Sequence, residues 1–152
     1  MHSLSRNTLG AEGAEALAPA LAAYGSLTAL DLYFNNLNNE GVSAVCEAIQ
    51  SNKETKLASL NFGQNNIGPV GANAVATMVA VTGSLTKMSL AHNELEEEGT
   101  KAICEALEQN TTLKELDISG GRGVSNIGGP AGAKHVAKML GVNGSLTKMW
   151  YV

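Results

Sequence analysis

The side chains able to do covalent or acid–base chemistry are few and scattered. His2, His92 and His135 are the three histidines of the 152 residues, and Cys46 and Cys104 the two cysteines. No histidine has a carboxylate or thiol at metal-ligand spacing, so no metal site is expected. No nucleophile, base and orienting acid cluster either, and the chain reads as a non-enzyme. The glycine-rich stretch from Gly120 to Pro130 invites comparison with a phosphate loop. It fails, because Ala133 precedes Lys134 and His135 follows it, where G-x-x-x-x-G-K-[ST] needs Gly and Ser or Thr. No cofactor is therefore expected. The run Glu96-Glu97-Glu98 stands just ahead of Gly99, at a helix start, where carboxylates complement the helix dipole.

What remains is binding chemistry. Tyr33 and Phe34 are adjacent aromatics and Trp150 is a third, in a chain with only 4% aromatic residues. Such side chains dominate the energy of protein interfaces. The formal charge of −4 disfavours a nucleic-acid surface, which needs clustered Lys and Arg. No run approaches the roughly 18 apolar residues of a membrane span, and Met1-His2-Ser3-Leu4 lacks the regions of a signal peptide. With so few cysteines, free thiols and a cytoplasmic setting are expected. The sequons at Asn110 and Asn143 carry no weight in that setting.

The elements that hold these residues follow from internal repetition. Leu27, Leu30, Leu32, Asn35, Leu37; Leu57, Leu60, Phe62, Asn65, Ile67; and Leu85, Met88, Leu90, Asn93, Leu95 all fit L-x-x-L-x-L-x-x-N-x-L. A fourth copy begins at Leu113, Leu116 and Ile118, and a last at Leu146, Met149 and Tyr151. Leu4, Asn7 and Leu9 match the end of another. The third apolar positions, Leu4, Leu32, Phe62, Leu90, Ile118 and Tyr151, give periods of 28, 30, 28, 28 and 33 residues, so the last copy carries an insertion. Behind each motif stands a glycine, Gly13, Gly41, Gly71, Gly99 or Gly132, with apolar residues three, four, seven and eight positions on. That is helical spacing. Each repeat reads as strand, turn, helix, turn.

This pattern resembles the ribonuclease-inhibitor-like class of leucine-rich repeats, over essentially the entire chain. The same class occurs in nucleotide-binding immune receptors and in Ran GTPase-activating proteins, so the resemblance implies a shape more than a task. The shape is an α/β solenoid, a right-handed horseshoe segment with a parallel sheet on the concave face and helices on the convex face, forming one domain over 1–152. Both ends fall inside a repeat with no cap in view, which predicts a segment of a longer protein and open strand edges prone to self-association.

Strands are expected near Leu30 to Tyr33, Leu60 to Gly63, Met88 to Ala91 and Leu116 to Ser119. Parallel strands lie about 4.8 Å apart and helices about 8 to 10 Å, which predicts roughly 20° of bend per repeat. Asn7, Asn35, Asn65 and Asn93, where the chain leaves the strand, are expected to form a buried ladder serving backbone groups. Cys46 and Cys104, two repeats apart and on the order of 20 Å from each other, are too distant for a disulfide. Pro69 and Pro130 suit helix starts, whereas Pro19 lies inside the first helix and is expected to kink or end it.

Residues between and just after the leucines should face the concavity. The partner-binding set expected there is Asp31, Tyr33, Phe34, Asn61, Gln64, His92, Asp117 and Trp150, joined by Arg122 of the insertion, which holds about five extra residues on the rim. Lys87, Glu115 and Lys148 are expected to be simply solvated. The function that follows is a scaffold for a protein partner of unknown identity. The resemblance implies two alternatives: GTPase activation through Arg6 or Arg122, or the sensing or autoinhibitory region of a larger receptor.

Overall fold

A computed structural model describes residues 2–121 and 123–151. Strands and helices alternate strictly: β1 (His2–Ser3), α1 (Gly10–Ala23), β2 (Ala29–Asp31), α2 (Asn38–Ser51), β3 (Ser59–Asn61), α3 (Pro69–Val81), β4 (Lys87–Ser89), α4 (Glu96–Gln109), β5 (Glu115–Asp117), α5 (Gly129–Leu140) and β6 (Lys148–Trp150). The strands form one parallel sheet in sequence order. Leu30, Leu60, Met88, Leu116 and Met149 stand in one register row. Leu32, Phe62, Leu90 and Ile118, two residues on, point the same way and are at most 1% exposed. Against them pack Val42, Val45 and Ile49 of α2 and their counterparts in the other helices. Each large side chain fully buried in this way stabilises the fold by about 1.5–3 kcal/mol.

The strands start one residue earlier than the leucine spacing predicts and end two residues earlier. Pairing nevertheless persists on alternate residues, as Leu32 N–H donates to the Asn61 carbonyl (2.9 Å) and Phe34 N–H to that of Gly63 (3.0 Å). The regular strand stops because a side chain takes the intervening amide. Asp31 Oδ1 accepts Tyr33 N–H (3.1 Å), Asn61 Oδ1 accepts Gly63 N–H (2.9 Å) and Asp117 Oδ1 accepts Ser119 N–H (3.0 Å). Such local side-chain acceptors compete with the ladder and start the turn.

The asparagine ladder is present. Asn65 Nδ2 donates to the carbonyls of Phe62 and Gly63 in its own turn and of Leu32 in the preceding repeat. Its Oδ1 accepts Asn35 N–H (3.0 Å) and Leu37 N–H (3.3 Å). Asn35 and Asn65 are fully buried and Asn93 is nearly so, whereas Asn7 at the first turn is exposed. Burial without such partners would cost about 1–3 kcal/mol for each backbone group.

A second ladder, unforeseen from the sequence, closes the other side of each repeat. Where the chain leaves the helix, the Nδ2 atoms of Asn52, Asn110 and Asn143 donate to the carbonyls of Leu21 (2.9 Å), Val79 (3.1 Å) and Leu107 (2.6 Å) in the preceding helix. The two sequon asparagines thus have their amides committed to the fold. Helix starts are tied between repeats as well: Asn39 Oδ1 accepts Gly68 N–H and Gly71 N–H, both at 2.9 Å, at the start of α3.

Of the two outcomes expected at Pro19, a kink or an end, the second does not occur: α1 runs 14 residues, as long as α2. Pro19 and Glu15, whose carbonyl loses its intrahelical donor, both lie on the exposed face, where water serves that carbonyl. The repeat glycines mark close approach of helices: a Cβ on Gly99 would lie 2.7 Å from Ala72 Cβ. Cys46 and Cys104 are free, buried thiols. Burial, then Glu108 and Glu105, pushes the Cys104 thiol up to about 12; burial, then Glu47, pushes Cys46 higher.

Candidate functional site

Three columns of side chains leave the sheet on its open face. The first is Ala29, Ser59, Lys87, Glu115 and Lys148. Its last three members form a chain of ion pairs across three strands, with Lys87 Nζ 3.3 Å from Glu115 Oε2 and Lys148 Nζ 3.3 Å from Oε1. The solvated side chains expected here are thus also paired with one another; parallel register places them side by side although about 30 residues separate them in sequence. The lysines, Lys87 before Lys148, hold the Glu115 carboxyl below its ordinary range.

The second column holds Asp31, Asn61, Ser89, Asp117 and Trp150. In Asp31, Asn61 and Asp117 one oxygen serves the turn, as described above, so these side chains are half-committed before any partner arrives. Trp150 is 47% exposed. It lies four strands from Asp31, about 19 Å at ordinary strand spacing, so the aromatics at the two ends are not brought together.

Tyr33 opens the third column, and its ring lies 6.3 Å from that of Phe34. The Arg6 guanidinium carbon lies 5.9 Å from the centre of the Tyr33 ring. Beside this column runs the rim, where Arg6, Phe34, Gln64 and His92 occupy equivalent positions with φ of 60°, 54°, 55° and 56°. Phe34 is 51% exposed.

The insertion is a small hairpin. Gly121 and Val124 pair in an antiparallel bridge, and the chain re-enters the core at Asn126, 1% exposed. Asn126 Nδ2 donates to the carbonyls of Leu90 (2.9 Å) and Ile118 (3.1 Å), and its Oδ1 accepts Leu95 N–H (3.2 Å). It is the ladder residue of the irregular repeat, displaced by the insertion and therefore hidden from a fixed-spacing search. Beyond it Gly128 turns with φ +79°, where a Cβ would lie 2.2 Å from Glu97 N. Arg122 lies outside the described residues.

Two adjoining clefts open along the rim, the first of them bordered by the hairpin. One, of about 370 Å³, is bounded by Tyr33, Gln64, Asn66, His92, Glu94 and Val124, among others. The second, of about 450 Å³, runs from Gln64 and Asn66 past Phe34 to Thr8. Tyr33, Phe34, Gln64 and His92 are thus brought together, joined by Asn66 and Val124, which the sequence reading omitted. Among the described residues no three His, Cys, Asp or Glu side chains are grouped to hold a metal ion, and no helix is long and apolar enough to cross a membrane.

A family model described as Leucine Rich repeat matches residues 3–18, 26–46, 53–76 and 109–131, more than half of the chain. The chain belongs to the leucine-rich-repeat family. Its relatives include the human NACHT, LRR and PYD domains-containing protein 13, 32% identical over 73% of this chain and 10% of that protein. The Mus musculus ribonuclease inhibitor is 34% identical over 67% of this chain and 22% of that protein. RAN GTPase-activating protein 2 of Arabidopsis thaliana is 28% identical over 73% and 21%. The repeats are therefore of the ribonuclease-inhibitor-like class, and this leucine-rich-repeat chain spans only about a tenth to a fifth of those relatives. In fold it matches the solved Leiomodin-1 Actin-Binding Site 2 (TM-score 0.77, 24% identity, 91% of this chain and 77% of that one). It also matches the tropomodulin C-terminal domain of Caenorhabditis elegans (TM-score 0.72, 13% identity, 93% and 82%).

Proposed function

We propose that this leucine-rich-repeat chain is a protein-interaction scaffold that holds a partner protein on its concave face and on the adjoining 120–130 loop. One observation carries the reading. Phe34, on the rim, and Trp150, in β6, stand half exposed. Large aromatics left in water are the anchors that partner surfaces use. The Lys87–Glu115–Lys148 chain and the half-committed Asp31, Asn61 and Asp117 supply a polar surround, which sets orientation more than affinity. The test is capture of partners from the source cell by the intact chain and by a variant with Tyr33, Phe34 and Trp150 changed to alanine. A partner that binds the first and is lost by the second supports the concave face. Retention by both sinks that assignment.

The likeness to RAN GTPase-activating protein 2 favours a second reading, in which Arg6 or Arg122 acts on a bound GTPase. Unchanged GTP hydrolysis by candidate GTPases with the chain present removes it.

A further inference from the structure

Gln64 and Asn66 line both rim clefts and so form the saddle between them. Their hydrogen-bonding groups are used by halves. Gln64 Oε1 accepts the Tyr33 hydroxyl proton, and among the described residues its Nε2 has no partner. Asn66 Nδ2 donates to Asn36 Oδ1 and Asn38 Oδ1, and among the described residues its Oδ1 has none. One open donor and one open acceptor therefore stand at the saddle. We propose that this pair receives the backbone C=O and N–H of one residue in an extended, uncharged segment of the partner, whose apolar side chains enter the clefts on either side. The inference rests on the protein-scaffold reading and names the chemistry of the segment recognised.

Several observations select this occupant. One residue of an extended chain presents its backbone acceptor and donor on the same edge, which is the complement of what Gln64 and Asn66 leave open. Successive side chains of an extended chain leave on opposite sides of its backbone, as two clefts flanking one saddle require. Apolar surface waits on both sides, Phe34 in one cleft and Tyr33 with Val124 in the other. Val124, 61% exposed, belongs to the hairpin, the largest departure from the 28-residue period. Among the described residues no lysine or arginine lines the clefts, whereas Glu94 lines one of them, which disfavours an acidic segment. Finally, four successive repeats hold a non-glycine residue at the rim in the left-handed region, at roughly 1–2 kcal/mol each against glycine. Large side chains there project outward, and none of the four is needed by the core.

The test is an array of random linear peptides probed with the purified 152-residue chain, followed by titration of the selected peptides. Selected sequences are expected to be uncharged, with apolar residues flanking the bound residue. Gln64→Glu replaces the open donor by an acceptor of the same shape and is expected to weaken binding at least tenfold with unaltered thermal melting. Val124→Ala and Phe34→Ala are expected to weaken it less, and Val81→Ala, exposed at the end of α3, not at all. Selection of charged peptides, equal binding by Gln64→Glu, or no selection at all overturns the inference. The concave-face reading fails separately: loss of a captured partner with Trp150→Ala but not with Gln64→Glu keeps that reading and sinks this one.

Discussion

Asn65 and Asn66 are neighbours in sequence with the same side chain and opposite fates. Asn65 is fully buried, with both ends of its amide bonded to backbone in two repeats. Asn66 is exposed, bonds only to other side chains and keeps an acceptor open. The same contrast separates Asn35 from Asn36. A buried amide in the ladder is a structural part whose loss orphans backbone groups, whereas an amide one residue on is free to serve a partner. The difference lies in backbone direction at the turn, since φ of Asn66 is +56°.

The contrast is open to direct attack. Asn65→Ala is expected to destabilise by about 3 kcal/mol or more, since it leaves several buried backbone groups unpaired; denaturant titration measures it, and a loss below 1 kcal/mol would mean that water replaces the amide. Asn110→Ala, in the half-buried helix-exit ladder, is expected to cost about 1–2 kcal/mol by the same assay. Thr100→Val has the opposite sign. Thr100 Oγ1 is buried with no partner among the described residues, so an isosteric methyl is expected to raise stability by about 1 kcal/mol. For Asn66→Ala the expected change is within about 0.5 kcal/mol, and a larger loss would make the outer amides structural too.

The smallest effect concerns Glu115, whose lysine partners lower its pKa. A depressed carboxylate stabilises the fold above its unfolded pKa, and this contribution disappears as pH falls through the lowered folded value. Glu115→Gln should therefore flatten the acid limb of the stability profile slightly. Because the group is solvent-exposed, 0.5 M salt should mask most of the difference. A salt-independent effect would contradict this account.

Much of this was open to inspection in the sequence. Leu30, Leu60, Met88 and Leu116 recur at spacings that bury one face of a strand, and Val45, Ile49, Ile103 and Leu107 at spacings that bury one face of a helix. Asn35, Asn65 and Asn93 recur in phase with both, so the first ladder followed. The second ladder did not, because Asn52, Asn110 and Asn143 alternate with Thr82 and sit in turns of varying length. Asn126 was masked by the hairpin before it. Tyr33, Phe34, Gln64 and His92 were legible as surface residues, but their union with Val124 into two clefts was not.

The reason is the range of the interactions involved. Periodicity in one chain records what each residue does within its own repeat: point inward, continue a helix, or end a strand. That is enough to specify a strand–helix solenoid whose strands stack in register. The pairing of Lys87 with Glu115 and of Glu115 with Lys148, the reach of Asn39 to the start of α3, and the bonds of Gln64 to Tyr33 and of Asn66 to Asn36 join residues about 30 positions apart, in different repeats. Those relations depend on stacking distance, on the left-handed turns that aim the rim outward, and on the place where an insertion of irregular length comes to rest. Stacking in three dimensions sets them, because neighbouring repeats touch through side chains whose directions no linear spacing encodes.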